Sequence, residues 1–342
     1  MSRFTRLIRA AAVAAAAALA LAGCQGGASS PDASGASGEA LTVGLTYTPN
    51  VQFAPFYVAE DLGYFDEAGV NVELRHHGES EELFGALKGG TEQLVYAGGD
   101  EITQAAAGGV DLQSVATLFN TYPAVLIVPE DSEITTAEDL KGHTVGLPGL
   151  YGQTYFALLA MLDEAGLSQD DVDIQAIGYT QQAALTGGRV DAVMGFSNND
   201  AVQFEAEGFA IRTIDAVDPA HPTLVGPAVA ADAATIADRG DDVRKVLEAV
   251  QRAIEYIAEN PEEAVEITAK YVPTLTSDEQ KAAALATLEA TIPLMEPLGD
   301  APLLTNDPDT WAAMAEFMFS SGLIDTEVAP ESLYTNELLP SA

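Results

Sequence analysis

Four short groups of side chains have the types needed to hold a small molecule: Tyr47, Asn50, Gln52 and Phe53; Asp100 and Glu101; Tyr151, Gln153 and Thr154; and Asn198, Asn199 and Asp200. Aromatic faces stack on planar ligands, while amides and carboxylates read hydrogen-bonding edges. Stacking is expected from Tyr47, Phe53 and Tyr151, and polar contacts chiefly from Asn50, Gln52, Asp100, Asn198 and Asp200. No Lys or Arg occurs in the stretches that carry them, 46–53, 97–101, 148–154 and 196–200. Anion recognition needs such cations or well-aimed backbone N–H groups. The set therefore favours a neutral or weakly basic heterocycle with amino groups over a sulfonate or nitrate.

Covalent chemistry finds little support. No glycine-rich loop ends in Gly-Lys-Ser/Thr, and Gly146, Gly149 and Gly152 have the wrong spacing for a dinucleotide turn. No nucleophile elbow and no His-Glu-x-x-His occurs. His76 and His77 are adjacent at a strand end, so their rings point to opposite faces; the pair reads as a surface pair rather than a metal site. His143 and His221 are isolated. With 52 Asp+Glu in 342 residues, carboxylate pairs are too common to signal acid–base work. We expect no catalytic residue, no cofactor and no metal. The same excess, against 14 Lys+Arg and a net charge of −38, repels phosphate backbones and excludes nucleic-acid binding by a basic face. A hydrophobic content of 48% is enough for a real core.

The elements that must position these groups come in two similar sets. Thr42-Val43-Gly44-Leu45 recurs as Thr144-Val145-Gly146-Leu147, 102 residues later. Asp66-Glu67-Ala68-Gly69 recurs at an offset of 97, and Leu87, Gly89, Gly90 and Val95 at an offset of 98. Each half reads strand (41–47; 143–147), helix (54–66; 153–165), strand (70–76; 172–178), short helix (80–88; 180–186) and strand (93–97; 190–196). Gly69 and Gly166 are left-handed stops for the longer helices. Strands alternating with helices imply βαβ units and mostly parallel sheets in an α/β fold. The apolar run 113–129, broken at Asn120-Thr121-Tyr122-Pro123, reads as two strands with a crossing between lobes. A strand pair at 210–215 and 224–230 carries the chain back. From 232 onward the pattern is helical, with starts at Asp241 or Asp242, at Asn260-Pro261, at the Ser277/Gln280 capping box and at Asp307; these helices are expected to wrap the first lobe. In open α/β sheets ligands sit outside the carboxyl ends of the strands, where the four groups lie.

The amino terminus reads as an address. Arg3, Arg6 and Arg9 precede an apolar run over 10–22, about 13 residues, where spanning a bilayer takes roughly 20. The run ends Leu21-Ala22-Gly23-Cys24, which resembles a bacterial lipobox and implies cleavage before Cys24 and lipidation of its thiol. Residues 1–23 are then a signal peptide and 24–40 a flexible tether, leaving 319 residues and a net charge of −41 once the three arginines are gone. Lobe 1 is expected over 41–122 plus 217–342, and lobe 2 over 123–216.

Three stretches carry a family resemblance: 45–50 (Leu-Thr-Tyr-Thr-Pro-Asn), 54–59 (Ala-Pro-Phe-Tyr-Val-Ala) and 62–74, from Leu62-Gly63-Tyr64-Phe65 to Leu74. Gly98-Gly99-Asp100-Glu101 with Ala105 and Gly109, Asp139-Leu140-Lys141-Gly142, and 187–193 match as well. Over roughly 41–260 the chain resembles the NMT1/THI5-like solute-binding lipoproteins of ABC transporters. The resemblance implies a two-lobed periplasmic-binding-protein type II fold with a helical C-terminal extension. It also implies a lipid-anchored, extracytoplasmic, monomeric protein that closes on its ligand and presents it to a permease and an ATPase. The ligand implied first is a thiamine pyrimidine precursor of the formylaminopyrimidine or hydroxymethylpyrimidine type. Similar relatives bind riboflavin, sulfonates, taurine or nitrate. Two departures bear on ligand identity: Tyr47 stands where relatives often have Trp, and Asp200 is the shorter acid. The family also contains a pyrimidine synthase, whose lysine and histidine fall by approximate register around Ala97 and Glu101; both residue types are missing, and no cysteine cluster exists. From another class, a surface structural lipoprotein is the alternative.

Overall fold

The computed structural model describes residues 39–78 and 81–340. The expected signal peptide, the expected lipidation site Cys24 and most of the expected tether lie outside the described residues. No described helix is long and apolar enough to cross a membrane.

Among the described residues ten strands form two five-stranded sheets. The first contains β1 (Leu41–Leu45), β2 (Val72–His76), β3 (Leu94–Gly98), β4 (Leu112–Thr117) and β10 (Pro227–Asp232), in the order β2-β1-β3-β10-β4. The second contains β5 (Ala124–Pro129), β6 (Thr144–Leu147), β7 (Asp173–Ala176), β8 (Ala192–Phe196) and β9 (Ile211–Asp215), in the order β7-β6-β8-β5-β9. In each sheet three neighbours pair in parallel, and the fourth strand, β10 or β5, runs antiparallel to both of its neighbours. Each reversed strand is the first after a crossing from the other sheet. A strand entering from the far lobe arrives at the opposite end and must run backwards. The repeat seen in the sequence is thus a repeat of sheets. Strands at 210–215 and 224–230 do form, but in different sheets, so they are not partners.

Helices fill the connections: α1 (Ala54–Asp61), α2 (Tyr64–Ala68), α3 (Gly85–Lys88), α4 (Gly99–Ala107), α5 (Gly152–Glu164), α6 (Gln181–Thr186) and α7 (Asp200–Ala206). The expected helix 54–66 is two, because Gly63 adopts φ 73° between them. Gly69 and Gly166 take φ 74° and 66° as expected of left-handed stops. The C-terminal helices are α8 (Ala233–Glu259), α9 (Pro261–Thr268), α10 (Asp278–Met295) and α11 (Pro308–Ser320). Asp232 caps α8, so that helix starts before Asp241, with non-helical angles at Arg239 marking the break. The Ser277/Gln280 box and the Asp307 cap form as the sequence implies.

Apolar faces set the packing. Leu41, Val43, Leu45, Leu94 and Tyr96 bury one face of the first sheet under α1, α2 and α8. A second core joins the opposite face (Val95, Ala97, Ala228, Ala230) to Leu126, Val145, Met194 and α5 of the second sheet, with Tyr122, Val225 and Trp311 between them. At about 25 cal/mol per Å² of apolar surface, such a shared core holds the lobes together near the crossings. Where the first crossing leaves β4, the Leu118 and Phe119 N–H groups donate to the Pro227 carbonyl at the start of β10, at 2.9 and 3.1 Å. The Asn120 and Thr121 N–H groups donate to the Leu294 carbonyl at the free end of α10.

Candidate functional site

The four predicted loops lie at the carboxyl ends of β1, β3, β6 and β8. Two aromatic rings there are open. Tyr47 is 46% exposed after β1 and Tyr151 62% exposed after β6. They stand in corresponding loops of the two sheets, two residues past β1 and four past β6. The Tyr151 ring lies across Gly149, where any Cβ would overlap it, leaving its outer side free. Phe53 differs from both. It is 1% exposed and meets Tyr57, His76 and Tyr96 edge-on, with centroids 6.5, 5.4 and 5.6 Å away. It forms the wall beneath the 46–53 loop and has no accessible face.

Several polar side chains satisfy the backbone beside them. The Asn50 carboxamide oxygen accepts from Gln52 N–H at 3.2 Å, capping a short turn that leaves Gln52 half-buried. Glu101 accepts from Gly98 N–H at 2.9 Å at the start of α4. Asp200 accepts from Phe196 N–H at 2.8 Å, and Asn199 from the Gln203 amide at 2.8 Å, around the start of α7. Thr154 is buried in the first turn of α5. Asn198 is buried and donates to Thr291 Oγ1 of α10 at 2.9 Å, a bond from the second lobe to the C-terminal helices. Burial raises the pKa of both Glu101 and Asp200.

Asp100 is drawn into a cluster between the lobes. It is fully buried, and Tyr122 Oη lies 2.6 Å from Asp100 Oδ2 and 3.1 Å from the Gln153 carbonyl. Burial, then the neighbouring Glu101 charge, push the Asp100 carboxyl up to about 8. The geometry suits the neutral acid: the Asp100 carboxyl O–H donates to Tyr122 Oη, and the Tyr122 O–H is left to donate to the Gln153 carbonyl. Gln153 Nε2 is buried without a partner, close enough to α4 that a Cβ on Gly98 would stand 2.9 Å from it. Gly99 admits the return crossing; a Cβ there would come 2.5 Å from Val225 Cβ.

The starts of α4 and α5 differ. At α4 the Gly98, Gly99 and Glu101 N–H groups are taken by Glu101, by the Gly226 carbonyl and by Asp100. At α5 the capping residue, Tyr151, makes no side-chain capping bond, and no acid stands in the first turn. An anion is disfavoured at α4, whereas α5 can receive a carbonyl oxygen.

The histidine pair is not a surface pair. His77 is 3% exposed and bonded at 2.9 Å to Glu92, which is wholly buried and also ion-paired with Arg75. His76, on the other face, bonds the Tyr47 carbonyl and the Tyr57 hydroxyl, each at 3.0 Å. Among the described residues no cluster of three or more metal-ligating side chains is found. Sequence reasoning missed Tyr57, His76, Tyr122 and Thr291. Tyr122 alone carried a signal, since it sits in the polar break of an apolar run.

Comparison with known proteins agrees with the geometry. The chain is 30% identical over 304 residues to the riboflavin-binding protein RibY of Chloroflexus aurantiacus, covering 88% of this chain and 86% of that one. It is 26% identical over 250 residues to the formylaminopyrimidine-binding protein of Halalkalibacterium halodurans, covering 73% and 74%. Its fold matches the periplasmic aliphatic sulphonate binding protein SsuA of Escherichia coli with a TM-score of 0.70 at 19% identity, covering 86% and 92%. The profile of one family matches residues 50–264. With that match, the two five-stranded sheets and the long alignment to a binding protein, the chain belongs to the NMT1/THI5 like family.

Proposed function

We propose that this protein is the solute-binding component of an ABC importer and holds a neutral planar heterocycle between its lobes, without catalysing a reaction. The observation that carries this reading is the pair of exposed tyrosines, Tyr47 and Tyr151, one at the carboxyl end of the first strand of each repeat, in loops without Lys or Arg. Two ring faces flank a flat ligand, and the open first turn of α5 accepts a carbonyl edge. The self-occupied start of α4, with Asp100 and Glu101, opposes a sulfonate.

Within this class we place riboflavin ahead of the pyrimidine precursors favoured by the sequence reading, because the match to RibY is both closer in identity and longer than that to the formylaminopyrimidine-binding protein. Lobe closure would pivot on the crossings at Tyr122–Pro123 and 216–217, and Cys24 would anchor the monomeric protein on the extracytoplasmic face of the membrane. Titration of the protein with riboflavin, followed by quenching of flavin fluorescence, tests the reading. Formylaminopyrimidine, hydroxymethylpyrimidine and taurine serve as competitors. Binding of taurine alone would overturn the ligand class, and displacement of riboflavin by formylaminopyrimidine at lower concentration would reverse the order within it.

A further inference from the structure

Loop 46–53 carries the exposed Tyr47, yet the bonds that hold it come from below. Thr46 Oγ1 donates to the Tyr96 carbonyl at 2.7 Å. The Tyr47 carbonyl lies 3.0 Å from His76 Nδ1, and His76 Nε2 lies 3.0 Å from the Tyr57 hydroxyl. A carbonyl only accepts, so Nδ1 carries the hydrogen. In the neutral imidazole Nε2 is then a lone pair, and Tyr57 O–H must donate to it. The chain therefore has one direction: Tyr57 O–H to His76 Nε2, and His76 Nδ1–H to the Tyr47 carbonyl.

The surroundings keep both rings in place. Tyr57 is wholly buried and stacks on Tyr271, with centroids 4.7 Å apart and planes 9° apart. The Phe53 ring meets the imidazole at 5.4 Å and 64°. Burial disfavours the imidazolium and outweighs the Tyr47 carbonyl, which favours it; the adjacent His77 adds to the effect of burial. The carboxylates facing this region, Glu60 and Asp61, act on Tyr271, behind Tyr57. A protonated Nε2 would reverse the upper bond: the Tyr57 hydroxyl would have to accept it and turn its own hydrogen away inside a buried site.

We infer that His76 and Tyr57 are positioning residues, which hold the ligand-facing loop through the Tyr47 carbonyl and so set the plane of the Tyr47 ring. The consequence for ligand binding rests on the proposed role of Tyr47; the consequence for the loop does not. Hydrogen–deuterium exchange of the full chain without ligand, corrected for intrinsic rates, reads the loop directly. Tyr57→Phe and His76→Phe are expected to raise exchange over 47–52 about tenfold, the loss of one hydrogen bond, with β3 and β8 amides unchanged. His76→Asn, whose amide can donate from the Nδ1 position, should recover protection. Wild-type protection should fall as pH drops below the ordinary histidine range, and this step should vanish in His76→Asn. Riboflavin affinity should weaken about tenfold in the Phe variants. Because His76 is partly exposed, its variants carry the test should Tyr57→Phe unfold. Unchanged loop exchange in His76→Phe overturns the inference, as does a pH step that persists in His76→Asn. Altered exchange in a protein that binds no riboflavin upholds the positioning role and removes the ligand assignment alone.

Discussion

Tyr122 Oη stands 2.6 Å from Asp100 Oδ2, joining the chain's crossing between lobes to the first turn of α4 inside a buried interface. Asp100 is held up to about 8 against an ordinary 3.8. Between those values the folded protein keeps a proton that the unfolded chain releases. Its contribution to stability is complete below the unfolded value and is lost as pH rises through about 8. Glu101, raised by the same burial, adds in the same direction. Asp100→Asn keeps the shape and a donor toward Tyr122 but cannot ionise. We expect its melting temperature to vary less between pH 5 and 9 than the wild type's, with an advantage of roughly 2–4 °C at the alkaline end. Thermal melts across that range check this; an unaltered slope removes Asp100 as its source.

Tyr47→Ala and Tyr151→Ala should each weaken ligand binding about three- to tenfold, the worth of one aromatic contact, while the Phe variants retain affinity. Calorimetry measures both. Phe53→Ala is expected to behave differently. Its ring is buried in the wall, so the melting temperature should drop first.

The Asn198–Thr291 bond at 2.9 Å ties the second lobe to α10. Asn198→Ala and Thr291→Val should each favour the open form and lower affinity about fivefold, the loss of one net hydrogen bond. Small-angle scattering with and without ligand would show a larger unliganded radius in both variants. If affinity falls with no change in radius, Asn198 touches the ligand itself.

Gly99→Ala places a Cβ 2.5 Å from Val225 Cβ and 2.9 Å from its carbonyl. Since a backbone atom is among the obstacles, α4 must shift away from the return crossing, at a cost of about 1–3 kcal/mol. Denaturant unfolding measures the loss.

If Cys24 is lipidated, Cys24→Ser should move the protein from the membrane fraction to the soluble fraction with unchanged ligand affinity. Fractionation together with mass spectrometry of the amino-terminal peptide checks both the anchor and the cleavage site.

The alternation of strands and helices, the repeat and the caps at Ser277 and Asp307 were legible because each depends on neighbours a few residues away. The crossing at 120–123 was legible because polar residues and a proline interrupt an apolar run. The loops that carry the candidate site followed from strand order, since ligands gather at the carboxyl ends of α/β sheets.

Which side chains in those loops are free was decided only by tertiary structure. Asn50, Glu101 and Asp200 have the composition of ligand contacts and equally of helix starts, and in the fold they bond backbone N–H groups at helix starts and turns. Local sequence cannot separate the two uses, because an amide or carboxylate beside a helix start suits both. Tyr122, His76 and Thr291 acquire their roles from partners 22, 29 and 93 positions away in the chain. The neutral state of Asp100 likewise exists only where two lobes exclude water from it, and so it is a property of the packed interface, not of the residue.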